Sequence, residues 1–375
     1  MVSEDDLGPL KESIQELLTQ ECDSLTLHRF YDGQNDLDRQ LWAHAAELGW
    51  LAIGLPEEQG GLGMGVQGLD VLFRELGAAG APGGFIPTLV GAQWLAETVA
   101  EAADASSGEE ILAGVISGEL ELATPATPDA DAGGKVEERG GRLNGRSSWL
   151  LGSAGAGLAI MPVTREQGAA FALVRLGRDG ARFETRELWD KTRQVGAVVC
   201  ENAEPLALID DAEGTLGARY FEYLSLAIAA DCIGAGNRIA MQTIEYLKGR
   251  EQFGRPLASF QALKHRSVNL LVALTPADYL LMHAVEETAR GSSNGRMYAA
   301  LAKAAAADAF RFVADDCVQL HGGVGHTWEF DAHIFLKRSL LNEILAGQSN
   351  QLRDTAAGDL ERATRAGVST MEIAA

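Results

Sequence analysis

The sequence of 375 residues contains only four cysteines, and none of them belongs to a C-x-x-C pair. Cys22, Cys200, Cys232 and Cys317 are widely separated along the chain. Structural zinc sites use closely spaced cysteines, and disulfide frameworks are concentrated in small secreted domains. The cysteine pattern therefore argues against both and is typical of a reducing cytoplasm.

Basic residues are scarce. The 31 lysines and arginines face 53 acidic residues, which gives a formal net charge of −22. Nucleic acid carries a negative backbone and is bound by proteins with the opposite balance. The composition therefore makes nucleic acid a poor candidate partner.

Long apolar runs are also missing. No uninterrupted apolar stretch reaches the about 18 residues expected of a membrane-spanning helix. Residues Met1 to Leu27 show no basic and apolar signal pattern. Hydrophobic residues make up 46% and charged residues 22%, which is typical of a globular protein. We expect a cytoplasmic protein without a membrane segment, built from two or three domains.

The spacing of apolar residues changes twice along the chain. Residues 1–118 are mainly helical in pattern, and residues 119–212 have short alternating runs rich in Gly, Val and Thr. Helical spacing returns in residues 213–375, where short turns separate long segments typical of a bundle. The segment Gly63 to Gly68 matches G-x-G-x-x-G, but no strand of adequate length precedes it, so we do not expect a dinucleotide site there.

A pair of glycines ends the most regular of these helical segments. Met297 to Leu320 is rich in alanine and has no Pro or Gly, and Gly322 and Gly323 follow it. Glycine suits a helix C-terminus, and exposed backbone amides at such a turn suit a phosphate oxygen. The simpler interpretation is an ordinary turn between two helices.

A second candidate segment surrounds Arg250. A helix is expected to end there, and a cation in its last turn is favoured by the helix dipole, so Arg250 serves as a cap in the simplest interpretation. In the functional interpretation, Arg250 and Gln252 donate hydrogen bonds to an anionic cofactor, and Phe253 offers an apolar face.

Taken together, these motifs resemble the acyl-CoA dehydrogenase family. The C-terminal matches are Arg250-x-Gln-Phe-Gly, Phe260-Gln261 and Gln319-Leu-His-Gly-Gly-Val-Gly. Further matches, in chain order, are Leu41-Trp42, Leu48-Gly49-Trp50, Leu55-Pro56-Glu57-Glu58, Gly60-Gly61, Glu75-Leu76-Gly77 and Leu143 to Trp149. The resemblance implies an N-terminal all-α domain, a small central β-barrel and a C-terminal four-helix bundle.

The resemblance also implies a reaction and a cofactor. The family oxidises acyl-CoA thioesters to trans-2-enoyl-CoA with FAD, and a glutamate removes the α-proton. In this sequence the residues expected to bind FAD are Arg250, Gln252, Phe253, Leu257, Phe260, Gln261, Gln319, Gly322 and Gly323.

The catalytic glutamate is missing from both positions that the family uses. Ala346 stands at one position and Leu224 at the other. Glu222 and Glu343 lie nearby, but a shift of two or three residues turns a side chain to another helix face. We expect both to be solvated carboxylates on helix faces.

The segment expected to hold the flavin ring is also altered. Thr124 and Pro125 match the family, whereas its Glu and its Gly-Ser-Asp are absent from residues 122–134. In the family, the Arg-x-x-Phe-Gly loop and the Gly-Gly turn serve the FAD of a neighbouring subunit. The sequence thus retains the residues that would bind the FAD of a neighbouring subunit. It lacks the residues that would bind the flavin ring and act on the substrate in its own site.

This pattern predicts a non-catalytic subunit of a heteromeric FAD-dependent acyl-CoA dehydrogenase, α2β2 in composition. A homologous partner would carry the glutamate and bind the acyl-CoA substrate, and the resemblance implies a bulky acyl group such as a steroid side chain. Residues Gly325 to His333 resemble paired actinobacterial dehydrogenases of sterol breakdown. One alternative is a self-sufficient homo-oligomer that uses Glu222 or Glu343 as base, and another is a flavin-free scaffold. His326 and His333 have no third ligand at suitable spacing, so we expect no metal site.

Overall fold

The structure is a computed structural model that describes residues 4–99, 105–128, 134–153, 155–178 and 180–367. Its first part is helical, as the sequence predicts. Trp50 and Trp94 are among the largest side chains buried in its core, and the Asp23 carboxylate caps α2 by accepting a hydrogen bond from the Thr26 amide. The helices are α1 (Glu4–Glu21), α2 (Ser24–Tyr31), α3 (Leu37–Glu47), α4 (Gly65–Ala79), α5 (Phe85–Val99) and α6 (Ala105–Ile116).

The central part is a β-sheet domain. Its described strands are β1 (Leu122–Pro125), β2 (Val136–Arg139), β3 (Arg142–Arg146), β4 (Leu150–Leu151), β5 (Leu158–Arg165), β6 (Gly168–Arg175), β7 (Ala181–Arg186), β8 (Val195–Ala203) and β9 (Ala207–Asp210). The pairing path β1-β4-β8-β3-β2-β5 returns to β1, because β1 also pairs with β5. The central sheet domain is confirmed, and its description as a barrel stays a prediction.

The last part is again helical. The helices are α7 (Thr215–Gly249), α8 (Gln261–Ala289), α9 (Gly295–His321), α10 (Ala332–Ile344) and α11 (Ser349–Arg365), with a hairpin of β10 (Glu251–Gln252) and β11 (Arg255–Pro256) between α7 and α8. The alanines of α9 are mostly buried, since small side chains allow several helices to pack closely around it. Gly322 ends α9 with a φ of 66°, as the sequence predicts.

Two glycines bring the N-terminal helices against this bundle. A Cβ atom at Gly77 of α4 would lie 2.4 Å from the Asp231 carbonyl oxygen of α7, and one at Gly234 would lie 1.9 Å from the Arg74 carbonyl oxygen. Only glycine permits so close a crossing of α4 and α7. Asp231 therefore lies at the junction of the domains.

A buried ionic cluster occupies this junction. The Asp231 carboxylate lies 2.7 Å from Nη2 of Arg193, which precedes β8, and accepts hydrogen bonds from Arg338 of α10. Asn342 donates a further hydrogen bond to it at 2.7 Å. Burial opposes ionisation, but the two guanidinium groups hold the pKa of Asp231 below its usual value. The cluster joins the sheet domain to two helices of the C-terminal part.

One face of α8 is apolar and exposed. By length and composition α8 is able to cross a membrane. Only 33% of its most apolar 18-residue window is buried within the described chain. The exposed side chains are Val268, Leu271, Val272, Tyr279 and Met282. A single helix of this kind does not identify a membrane span, and an apolar face of this size is also typical of a surface that packs on another chain.

Candidate functional site

The hairpin after α7 carries the first group of candidate residues. α7 ends at Gly249, and Arg250 turns the chain into β10. Phe253 and Gly254 form the tip, with φ values of 55° and 76°. A two-residue hairpin turn requires positive φ at such positions, which glycine adopts freely and phenylalanine does not. Phe253 is nevertheless held there with 90% of its surface exposed.

The remainder of the segment supports this hairpin. The Leu257 amide donates a hydrogen bond to the Arg250 carbonyl oxygen at 2.8 Å. The Arg255 guanidinium lies 4.0 Å from the centre of the Phe260 ring, which also meets the Phe253 ring edge to face. Gln261 follows as the first residue of α8. Arg250, Gln252 and Phe253 are all exposed at one end of the bundle.

An aromatic contact brings the Gly-Gly turn to the same end. The ring of Tyr246, one turn before Arg250, stacks on the ring of His321 with a centroid distance of 4.4 Å. Gly322 and Gly323 follow His321 directly, and Gln319 is exposed beside them. The structure therefore brings together the two segments that the sequence singles out. Tyr246 and His321 were not predicted as members of the site.

Gly322 and Gly323 differ in whether the conformation of the chain requires glycine. Gly322 needs glycine for its left-handed conformation. Gly323 has no such conformation, and a Cβ atom there would meet no described atom within 4 Å. Neither packing nor backbone geometry within the described chain therefore explains glycine at position 323.

Arg250 is available to a ligand. Among the described residues, its side chain forms no hydrogen bond and no ion pair, whereas neighbouring Lys248 pairs with Glu245 at 2.6 Å. An exposed, unpaired guanidinium is suited to a phosphate or diphosphate group.

The two positions expected to hold the base are buried. Leu224 is 0% exposed within α7, and Ala346 is 1% exposed between α10 and α11. Ala346 has a φ of 61°, and its amide donates a hydrogen bond to the Ala126 carbonyl oxygen at 2.8 Å. The loop that carries the base in the family is thus bonded directly to the end of β1.

A buried lysine holds this loop from the other side. Lys303 of α9 donates hydrogen bonds to the carbonyl oxygens of Glu343, at 3.0 Å, and Gly347. Burial lowers the pKa of Lys303 to about 8. The sequence analysis did not predict a role for Lys303. A single lysine within an alanine-rich helix could have indicated a buried, hydrogen-bonded lysine.

The nearby carboxylates differ from each other. Glu343 is exposed, as expected. Glu222 is not a solvated carboxylate, and that prediction is wrong. It is 7% exposed, accepts a hydrogen bond from Thr288 at 2.7 Å and pairs with Arg219 at 3.0 Å, because α7 is covered there by α8. It lines a pocket of about 460 Å³ that also includes Ala346.

The segment expected to hold the flavin ring packs against α7. Thr124 is buried, and the Tyr220 hydroxyl lies 2.8 Å from both the Thr124 hydroxyl and the Pro125 carbonyl oxygen. Residues 129–133, where the absent Gly-Ser-Asp would fall, lie outside the described residues. Thr124 and Pro125 therefore form internal contacts.

Of the two histidines in the 325–333 segment, His333 is buried among aromatic rings and His326 is exposed. The Trp328 ring meets the rings of His333 and His28 edge to face. Asp331 accepts hydrogen bonds from Ser24 and His28 of α2. Within the described part of the chain, no group of three or more metal-ligating side chains comes together.

Comparison with known families fits this geometry. A family model of the acyl-CoA dehydrogenase N-terminal domain matches residues 5–119, and one of the acyl-CoA dehydrogenase C-terminal domain matches residues 218–360. The chain belongs to the acyl-CoA dehydrogenase family. Its members are FAD-binding oxidoreductases that act on CH–CH bonds.

Two relatives from Mycobacterium tuberculosis are each 29% identical to this acyl-CoA dehydrogenase family chain. Acyl-CoA dehydrogenase FadE34 aligns over 92% of the chain, which spans only 46% of that protein's length. Acyl-CoA dehydrogenase IpdE2 aligns over 88% of the chain and 89% of its own length.

Solved structures share the whole fold. The Tcur3481-Tcur3483 steroid acyl-CoA dehydrogenase G363A variant is 25% identical, with a TM-score of 0.84 over 96% of this chain and 99% of that one. A chain of the ChsE4-ChsE5 complex from Mycobacterium tuberculosis is 23% identical, with a TM-score of 0.80 over 99% of both chains. The N-terminal helical domain, central sheet domain and C-terminal helical domain are therefore those of the acyl-CoA dehydrogenase fold.

Proposed function

We propose that this chain is a non-catalytic subunit of a heteromeric acyl-CoA dehydrogenase. It completes the ADP-binding half of an FAD site, while a homologous partner supplies the catalytic glutamate. The observation that carries the proposal is the contrast between an exposed, unpaired Arg250 and a buried Ala346. We retain 1–118, 119–212 and 213–375 as its proposed domains.

The surface proposed to bind the cofactor is exposed, and its arginine is unpaired among the described residues. Arg250 and Gln252 would donate hydrogen bonds to diphosphate oxygens, and Phe253 would cover an apolar part of the ADP portion. Glycine at position 323 allows a ligand to approach the backbone closely, which the chain's own packing does not require. Leu257, Phe260 and Gln261 support the hairpin and complete the candidate cofactor-binding set with Gln319 and Gly322. When bound, FAD would accept the two electrons removed from the substrate.

The chain's own centre lacks the means for α-proton removal. Neither Ala346 nor Leu224 has an acidic group: Leu224 is fully buried, and Ala346 places only a methyl group at the edge of the pocket that Glu222 also lines. The hydrogen bond from Ala346 to Ala126 closes the loop onto β1. We infer that proton removal from an acyl-CoA takes place at the partner's glutamate.

The exposed apolar face of α8 supports the proposal that the chain binds a partner chain. A face of this kind is stabilised when it packs on another chain, because apolar side chains leave water. Two solved structures with this fold, Tcur3481-Tcur3483 and the ChsE4-ChsE5 complex, are each named for a pair of proteins. We propose an α2β2 assembly, and the steroid named for the first of them suggests a bulky steroid acyl-CoA as substrate.

Flavin content tests the division of labour. We expect the isolated chain to carry little FAD, and the complex with the homologous chain encoded beside it to carry about one FAD per pair. The measurement is the flavin absorbance per mole of each chain after gel filtration. Full flavin occupancy and acyl-CoA oxidation by the isolated chain would refute the proposal.

Replacing Arg250 tests the cofactor contact itself. Arg250→Ala in the complex removes a charge-assisted hydrogen bond, so FAD should dissociate roughly ten- to a hundredfold faster. The control is Arg142→Ala, which removes an exposed arginine of β3 paired with Glu204. A flavin-free scaffold predicts that neither change alters the flavin content.

The self-sufficient alternative is favoured by one observation, the presence of Glu222 in the same pocket as Ala346. In that case Glu222→Gln in the isolated chain would abolish exchange of the substrate α-proton. Glu343→Gln is the matched control because Glu343 is exposed. We expect the wild-type chain alone to catalyse no exchange, since Glu222 is already engaged by Arg219 and Thr288.

A further inference from the structure

We propose that the stacked rings of Tyr246, His321 and Phe330 position the Gly-Gly turn against the Arg250 hairpin, so that both contact the ADP portion of one FAD. This inference rests on the proposed function and adds three positioning residues to it. None of the three is expected to react, and each acts through the elements that it holds.

The three rings form one compact group. Tyr246 and His321 stack at 4.4 Å with an angle of 23° between their planes. Phe330 lies 5.0 Å from each of them, at steeper angles. Aromatic pairs at these separations contribute beyond their buried area. The group therefore holds the end of α7, the end of α9 and the segment before α10 together.

The orientation of His321 is fixed by a hydrogen bond. Its Nδ1 lies 2.8 Å from the Cys317 carbonyl oxygen one turn earlier in α9. Burial lowers the pKa of His321, so the ring is neutral at pH 7 and Nδ1 carries the donated proton. The ring plane facing Tyr246 is thereby fixed at the residue that immediately precedes Gly322.

Phe330 is fixed from a different direction. The next residue, Asp331, accepts hydrogen bonds from Ser24 at 2.6 Å and from His28 at 2.9 Å. Both partners belong to α2 of the N-terminal part. The segment that leaves the Gly-Gly turn is therefore tied to α2, and Phe330 transmits this constraint to Tyr246 and His321.

The stack links the Gly-Gly turn to the Arg250 hairpin at the ends of two helices, α7 and α9, that also pack against each other. In the described chain, no hydrogen bond or ion pair joins residues 250–257 directly to residues 319–326. The Tyr246 hydroxyl donates a hydrogen bond to the His321 carbonyl oxygen at 3.4 Å, which adds a polar contact to the stack. Loss of the stack would leave both elements folded but would loosen the turn relative to the hairpin, which weakens a ligand that needs both.

The test compares FAD with FMN, which lacks the adenylate portion, in the complex of both chains. His321→Ala should accelerate FAD dissociation about tenfold, the effect of losing one aromatic pair, and leave FMN binding unchanged. His321→Phe retains the ring and should remain within about threefold of the wild type. Tyr246→Leu provides a second variant with the same expected loss, should His321→Ala not assemble.

A matched control lies at the other end of α9. The rings of His283 and Tyr298 are also 4.4 Å apart, so His283→Ala removes a similar pair far from the turn and should not affect FAD. Equal losses of FAD and FMN, or no loss in His321→Ala and Tyr246→Leu, would overturn the inference. If Arg250→Ala still weakens FAD, the proposed function survives that result. If Arg250→Ala has no effect either, the proposed function fails as well.

Discussion

Asp231→Ala is expected to lower the free energy of unfolding by about 3–5 kcal/mol, because it removes the carboxylate that pairs with two buried arginines. Arg193 and Arg338 are both almost fully enclosed, and arginine does not release its proton in proteins. The Asn342 amide also loses its acceptor. Urea unfolding followed by circular dichroism measures the change.

The control is a surface carboxylate. Asp315→Ala removes the partner of Arg311 on the exposed side of α9, and exposed pairs of this kind contribute at most about 1 kcal/mol. Similar losses for Asp231→Ala and Asp315→Ala would show that the junction does not depend on the buried cluster. A chain that fails to fold at all agrees with the expectation, since marginal stability leaves little to lose.

The pH dependence of this cluster has a defined sign. The pKa of Asp231 is lower in the folded protein, so the unfolded chain binds its proton first as the pH falls. The stabilising contribution is therefore complete above about pH 4, the unfolded pKa, and declines as the pH falls below it. In Asp231→Ala this part of the acid dependence should be absent.

The sequence predicted the helical, sheet, helical order of the chain and the elements that carry the candidate cofactor-binding residues. Periodicity alone indicates the helix that becomes α9, because the alanine-rich segment before Gly322 contains no Pro or Gly and has apolar residues at helical spacing. The sequence predicted short strands within residues 119–212 from alternation, and two of the observed strands, β5 and β6, pair along their full length. The positions that matched family motifs could be singled out before any contact was known.

Contacts between distant segments were not predictable in this way. Tyr246 and His321 are separated by 75 residues, and nothing in the local pattern says that their rings meet. Glu222 illustrates the same limit. On a helical wheel it is an ordinary carboxylate, and its burial depends on Thr288 of a helix that follows much later in the chain. Burial of charge is a tertiary property, so a single sequence does not reveal it.

Lys303 gives the clearest pH-dependent expectation. In the unfolded chain its ammonium group keeps its proton up to about pH 10.4, whereas burial lowers the folded pKa to about 8. Between these values the unfolded chain binds more protons, so the free energy of unfolding should rise with pH. Relative to Lys303→Met, wild-type stability should increase by about 3 kcal/mol between pH 7.5 and pH 10.5.

The measurement is urea unfolding of both proteins across that range, with Lys248→Met as the control. Lys248 is exposed beside Glu245, so its variant should follow the wild-type curve. Parallel curves for wild type and Lys303→Met would mean that the two carbonyl acceptors, Glu343 and Gly347, compensate fully for the burial of the charge. A rising difference would instead indicate that the loop with Ala346 is held by a lysine that is costly to bury at neutral pH.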